Sequence, residues 1–368
     1  MGFLTSRDSQ IPAKARILII KTHAIGDLLL TTPAIRDIRK AYPDAHITLL
    51  VGKWAAPVIR KNPHIDEFME VEDSVFMQRP ILPVIKLLFA LRLRRFEAAF
   101  IFHPLPSVHL FSLLAGIPRR YGLMTSGGSP YLTKGISENL EAGFYYPVNF
   151  QRVAALAGVP AGSPRIEVHA DSADAAAVAE LLASEGVGPA DILLLVAPGG
   201  GRNSKEDVAA KRWPPASFEA VLKELRREYP SLKIALCGSE GDRQETGFLA
   251  ARIPGLVDLT GRVSLTGLIS VAGRSQAILC NDSAILHIGI AAGTPVVAPF
   301  GPTMLTRFVP PDVQSNSVQS AIACSPCYIG GRFPGCEIGY QCMREISPAL
   351  ILEKLRSILE GTLKPVIL

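Results

Sequence analysis

The stretch Arg16-Ile17-Leu18-Ile19-Ile20-Lys21-Thr22-His23-Ala24-Ile25-Gly26-Asp27 decides the fold. Its apolar run reads as a buried strand ending in polar turn residues. Leu28, Leu29, Leu30, Ala34, Ile35 and Ile38 then recur at roughly helical spacing, so a helix opens at Asp27. Gly26 allows the turn between the two to be sharp. A helix that starts at the end of a buried strand presents unpaired N–H groups and the positive end of its dipole, where open α/β sheets bind ligands. An acid at that place either caps the helix or serves as a base.

A second strand–turn–helix occurs at Gln276-Ala277-Ile278-Leu279-Cys280-Asn281-Asp282-Ser283-Ala284-Ile285-Leu286-His287. Asp282 and Ser283 stand at the helix start, His287 follows about one turn along, and Gly293-Thr294-Pro295 stops the helix before another strand. Such a turn suits a nucleotide diphosphate. Taken alone, Asp282 reads equally well as a cap, and His287 as a hydrogen-bonded core histidine.

Further strands are expected at Ile47–Val51, Glu67–Val71 and Ala98–Phe102. In the second half they fall at Ile192–Ala197, Lys233–Cys237, Val257–Asp258, Ile278–Asn281 and Pro295–Phe300. Alternation with helical stretches gives an α/β fold of doubly wound parallel sheets. With 368 residues and 48% hydrophobic content there is material for two domains, expected at 14–175 and 188–347. Gly and Pro put the linker near 170–190. The active cleft is expected between the domains, and the last helix, in 348–368, is expected to pack back on the first.

Ala197-Pro198-Gly199-Gly200-Gly201-Arg202-Asn203-Ser204-Lys205 follows a strand, and its glycines let backbone approach a ligand. It lacks P-loop spacing, so ATP hydrolysis is not implied. Neither ligand-facing turn carries Gly-x-Gly-x-x-Gly, which disfavours a nicotinamide-dependent oxidoreductase. Lys211, in Lys211-Arg212-Trp213-Pro214, is the better phosphate contact, and Trp213 reads as packing. The absence of an Asp-x-Asp pair leaves a diphosphate to cations and helix N-termini rather than to a divalent ion.

Together these segments resemble glycosyltransferase family 9, the heptosyltransferases of lipopolysaccharide inner-core assembly. The resemblance rests on Lys21-Thr22-x-x-x-Gly26-Asp27 with Thr31-Thr32-Pro33-Ala34-Ile35-Arg36, on Ala197-Pro198-Gly199 with Lys211-Arg212-Trp213-Pro214, on Gly238-Ser239-Glu240, and on Asp282-Ser283-x-x-x-His287 through Phe300-Gly301-Pro302-Thr303. It implies a GT-B fold of two Rossmann-like domains facing a central cleft, with acceptor chemistry on the first and an ADP-sugar on the second. In that scheme Asp27 is the general base, and Thr22, His23 and Gly26 lie on the acceptor side. Gly199, Gly200, Lys211, Ser239, Glu240, Asp282, Ser283, Ala284 and His287 hold the donor, with no cofactor for catalysis. The implied reaction is inverting transfer of a heptose or related sugar to a glycolipid acceptor. Many relatives carry Gly-Pro or Gly-Leu where this chain has Ala284-Ile285. A sugar-nucleotide epimerase and a non-catalytic nucleotide-sugar binding module are the competing readings, because a fold does not fix chemistry.

Cys324, Cys327, Cys336 and Cys342 form a C-x2-C-x8-C-x5-C arrangement able to offer four thiolates to one structural zinc or iron. Free packed thiols are the other reading. Cys237 and Cys280 behave as small buried hydrophobes. The net charge of +5 is scattered, which argues against nucleic-acid binding. Met1–Ala13 reads as a lead-in without signal or anchor, and the setting is expected to be cytoplasmic. Ala98–Pro118 carries no formal charge, yet Pro104 and Pro106 break it, so it reads as strand, turn and apolar helix rather than a membrane span. Val84–Arg95 mixes apolar and cationic residues; it reads as an ordinary packed helix or as one resting on an anionic inner-membrane surface.

Overall fold

A computed structural model describes residues 10–72, 75, 81–125, 127–200, 209–330 and 333–361, and divides the chain into two compact units, 1–167 and 168–368.

The first unit is built on a parallel sheet of β1 (Arg16–Ile20), β2 (His46–Gly52), β3 (Glu67–Val71), β4 (Ala98–Ile101), β5 (Arg119–Met124) and β6 (Lys134–Ser137), in the order β3-β2-β1-β4-β5-β6. Residues Ile17–Ile20 and Ala98–Ile101 are wholly buried, as continuous apolar runs in a sheet covered on both faces must be. Its helices are α1 (Ile25–Leu29), α2 (Thr32–Ala41), α3 (Ile81–Leu93), α4 (Pro106–Leu114) and α5 (Pro147–Ala155). The strand order reverses between β1 and β4, the switch point where doubly wound sheets bind ligands.

The second unit repeats this plan. Strands β7 (Leu193–Ala197), β8 (Lys233–Leu236), β9 (Val257–Asp258), β10 (Ala277–Cys280) and β11 (Val296–Val297) lie parallel in the order β11-β10-β7-β8-β9, with the switch point between β7 and β10. Its helices include α6 (Ser172–Ser184), α7 (Pro215–Glu228), α8 (Arg243–Ala250), α9 (Leu265–Arg274), α10 (Ala284–Ala292), α11 (Leu305–Phe308), α12 (Gln341–Arg344) and α13 (Pro348–Leu359). Trp213 is fully buried against Phe218, and its indole N–H donates to the Ile346 carbonyl at 3.0 Å. Its role is packing; truncation of such a ring costs about 3–5 kcal/mol.

The structure differs from the sequence expectation in several places. The helix expected to open at Asp27 starts at Ile25 and divides into α1 and α2, and the expected strand Pro295–Phe300 divides into β11 and a short strand Pro299–Phe300 that pairs with Val318–Gln319. The division between units falls at 167/168, ahead of the expected linker, because α6 packs on α9 and belongs to the second unit. The last helix belongs to the second unit as well: Ile351, Leu352, Leu355 and Leu359 of α13 share a core with Trp213, Phe218 and Leu222, and Arg356 Nε donates to Glu228 of α7 at 2.8 Å. A stripe at i, i+1, i+4, i+8 buries itself on the nearest apolar face, and α7 supplies one. Finally, the residue with unusual backbone in the first turn is Ala24 (φ 57°, ψ 122°), while Gly26 lies inside α1. A non-glycine residue held there stores about 1–3 kcal/mol. Residues 201–208 of the glycine-rich loop lie outside the described residues. Among the described residues, no helix is long and apolar enough to cross a membrane.

Candidate active site

At the first switch point, Thr22 follows β1 and His103 follows β4. The Thr22 backbone N–H donates to His103 Nε2 at 2.9 Å, so that nitrogen carries no proton and the ring is neutral. His109 Nε2 in turn donates to the His103 carbonyl at 2.8 Å. Burial pushes the His109 pKa down, which suits a neutral ring that donates from one nitrogen. The Thr22 hydroxyl lies 2.6 Å from His23 Nδ1 and 3.1 Å from His103 Nε2. A backbone amide that would otherwise be orphaned between two strands is thereby satisfied, and the turn is fixed.

Asp27 sits in the first turn of α1 with its carboxylate 45% exposed. Lys21 Nζ stands 3.4 Å away; that lysine is 5% exposed and lies over the Phe150 ring at 5.4 Å. Thus the acid is accessible to a substrate while its counter-ion is held from behind. Lys21 stands in the sequence motif without a role of its own, and His103 carries none in the sequence reading. His103 comes from a strand whose place beside β1 only the fold determines.

At the second switch point, Asn281 follows β10. Its side-chain amide donates to the Pro198 and Gly199 carbonyls at 2.8 and 3.0 Å, and its Oδ1 accepts the Trp213 backbone N–H at 3.0 Å. Asp282, 6% exposed, stands 2.9 Å from Lys211 Nζ. Burial raises the Asp282 pKa, but the Lys211 cation, with His287 and Thr303 behind it, pulls it below the ordinary carboxylate range. An ammonium has three donors, so Lys211 keeps capacity for an oxyanion beside Asp282. His287 is buried on the first turns of α10, edge-on to the Phe308 ring at 6.1 Å. Ser283 is the extended residue before α10, and Ala284 opens the helix.

Gly199 and Gly200 are required where they stand. A Cβ at Gly199 would fall 2.2 Å from Asp242 Oδ1, and one at Gly200 (φ 93°) 2.5 Å from Ser283 Cβ. Asp242 is the organising acid, and its place in the sequence did not advertise it. It accepts the Gly200 N–H at 3.0 Å and both the N–H (2.8 Å) and hydroxyl (2.7 Å) of Ser239. Ser239 is therefore engaged in a capping box, and Glu240 pairs with Arg243 while lying against Gly261. Both residues shape the loop after β8.

The four clustered cysteines do not meet the expectation of a shared metal. Among the described residues, no group of three or more His, Cys, Asp or Glu side chains is placed to hold an ion. Cys342 is buried in the core against Gly301, Cys336 Sγ accepts the Tyr340 N–H at 3.1 Å, and Cys324 and Cys336 are exposed.

Two parallel sheets, each with a polar pin across its switch point, make two Rossmann-like units. A family model for glycosyltransferase family 9 (heptosyltransferase) matches residues 85–331. The chain belongs to glycosyltransferase family 9. Lipopolysaccharide heptosyltransferase 2 of Escherichia coli strain K12 is 25% identical to this family 9 member over 365 residues, 94% of this chain and 98% of that protein. The structure of a family 9 glycosyl transferase from Veillonella parvula is similar at a TM-score of 0.82 and 21% identity, covering 96% of this chain and 100% of that one. That of Escherichia coli ADP-heptose lipopolysaccharide heptosyltransferase II is similar at 0.73 and 21% identity, covering 94% and 99%. The fold of this family 9 glycosyltransferase is of the GT-B kind, with two Rossmann-like units.

Proposed function

We propose that this family 9 glycosyltransferase transfers a heptose, or a closely related sugar, from an ADP-sugar to a lipopolysaccharide inner-core type acceptor, with inversion. The observation that carries the reading is Asp27, an accessible carboxylate at the first switch point of a chain that belongs to a family of heptosyltransferases.

In the proposed step the acceptor oxygen attacks the anomeric carbon and the bond from that carbon to the diphosphate oxygen breaks. The electron pair leaves with ADP, and the hydroxyl proton goes to Asp27. Lys211 and the N-terminus of α10 meet the charge growing on the departing diphosphate. Gly199 and Gly200 let backbone come close to the phosphates, and His287 supports Asp282. Thr22, His23 and Gly26 shape the acceptor side. This reading sets the reaction on the cytoplasmic face of the inner membrane, where a glycolipid acceptor is presented.

The test is a panel of ADP-, UDP-, GDP- and CDP-sugars, read as a thermal shift and as release of free nucleotide with a deacylated inner-core acceptor. ADP-heptose is expected to give the largest shift and acceptor-dependent ADP. Preference for another base would refute the donor assignment, and binding without release in any combination would leave a nucleotide-sugar binding module.

A further inference from the structure

Helix α3 covers the first unit with only part of its surface. Leu87 and Leu91 are buried in the cluster with Val108, Phe111 and Ala115 of the α4 region. The opposite face, Leu82, Ile85, Phe89 and Leu93 at i, i+3, i+7 and i+11, points to solvent, with Leu82 70%, Phe89 61% and Leu93 81% exposed. At the end of α3, Arg92 reaches the Leu114 carbonyl at 3.4 Å, so the exposed Leu113 and Leu114 of α4 extend the same patch. A run of this size left in water marks an interaction surface.

Charge identifies the partner. Residues 81–95 contain Lys86, Arg92, Arg94 and Arg95 and no acid. Arg94 is committed to Glu67 at 2.8 Å, but Lys86, Arg92 and Arg95 are exposed, and among the described residues none of those three has an acidic partner. On the helix, Lys86 and Arg92 flank the ridge of Leu82, Ile85, Phe89 and Leu93 on its two sides. A second copy of the chain is a poor occupant, because a two-fold contact would set these cations against their own equivalents. An apolar ridge bordered by cations fits a bilayer whose headgroups are anionic, with side chains in the acyl boundary and ammonium and guanidinium groups at the phosphates.

We propose that α3, with the end of α4, is a docking surface for an anionic lipid bilayer. It deepens the glycolipid-acceptor reading above by naming the surface that meets the membrane, but it rests on the geometry of α3 and does not need turnover for its test. The full chain would be mixed with vesicles of phosphatidylglycerol and phosphatidylethanolamine, and with phosphatidylcholine vesicles, and sedimented. Binding is expected to the anionic vesicles, to weaken with added salt as screened charges do, and to fall about tenfold in Phe89→Glu/Leu93→Glu, in line with the loss of buried apolar area plus the added repulsion. Phe89→Gln, gentler on folding, is expected to weaken binding in the same direction, and unchanged far-UV circular dichroism and ADP-induced thermal shift would show the variants folded. Absence of wild-type binding to anionic vesicles, equal binding by folded variants, or a concentration-dependent dimer dispersed by the same substitutions would each overturn the proposal. Loss of vesicle binding with sugar transfer to a water-soluble acceptor intact would separate this surface from the catalytic reading.

Discussion

His103, just beyond β4, accepts the backbone N–H of Thr22, just beyond β1, across 2.9 Å. Asn281, just beyond β10, plays the matching part in the second unit by holding the Pro198 and Gly199 carbonyls beyond β7. In each unit the two strands diverge at the switch point and leave backbone groups that no ladder can pair. A side chain from the partner strand's end satisfies them and fixes the turn.

Replacing His103 by Phe keeps the bulk but strands the buried Thr22 amide, which costs about 1–3 kcal/mol. The expected outcome is a lower melting temperature and a clear loss of kcat, with the ADP-induced thermal shift retained, since that ligand is assigned to the other unit. Equal loss of ADP binding and turnover would mean that the pin serves general stability only.

The pair of Lys211 and Asp282 allows a sharper separation. Lys211→Met alone leaves the buried Asp282 carboxylate with only His287 and Thr303 to hold it, a change on the order of 3–5 kcal/mol. Adding Asp282→Asn removes the lone charge, so the double variant is expected to recover most of the melting temperature while ADP-sugar affinity stays low. Recovery of affinity together with stability would show that Lys211 acts on Asp282 and not on the diphosphate.

Both switch-point turns were legible in the sequence because their signals are local: an apolar run, a turn and a helical stripe within about a dozen residues. Asp27, Asp282 and the glycines stood inside those windows. Strands Glu67–Val71 and Val257–Asp258 were read with the bounds they have. What escaped was carried by long-range pairing. His103 meets Thr22 from 81 residues away and Asp242 meets Gly200 from 42. Strands β5 and β6 begin with Arg119 and Lys134, and β6 is a partly exposed edge, so neither shows a continuous apolar run. The stripe on α13 announced a buried face but not which core would receive it.

Thiol chemistry probes the cysteine segment. In the native protein Cys324 and Cys336 are exposed, whereas Cys237 and Cys280 are fully buried, with burial pushing the Cys237 thiol up to about 12 and the Cys280 thiol well above its usual value. An aromatic disulfide reagent at neutral pH should therefore modify Cys324 and Cys336 first, and Cys237 and Cys280 only on unfolding, as peptide mapping would show. Protection of Cys324 and Cys336 that a chelator lifts would instead show that a metal gathers them.

The central claim is that Asp27 takes the acceptor proton. The most direct measurement is turnover of Asp27→Asn with saturating ADP-heptose and acceptor, alongside its ADP affinity. The substitution preserves size and removes the base, so kcat should fall about 10²–10⁴-fold, with ADP affinity and melting temperature near those of the unaltered protein. Turnover within a few-fold of normal would contradict the account.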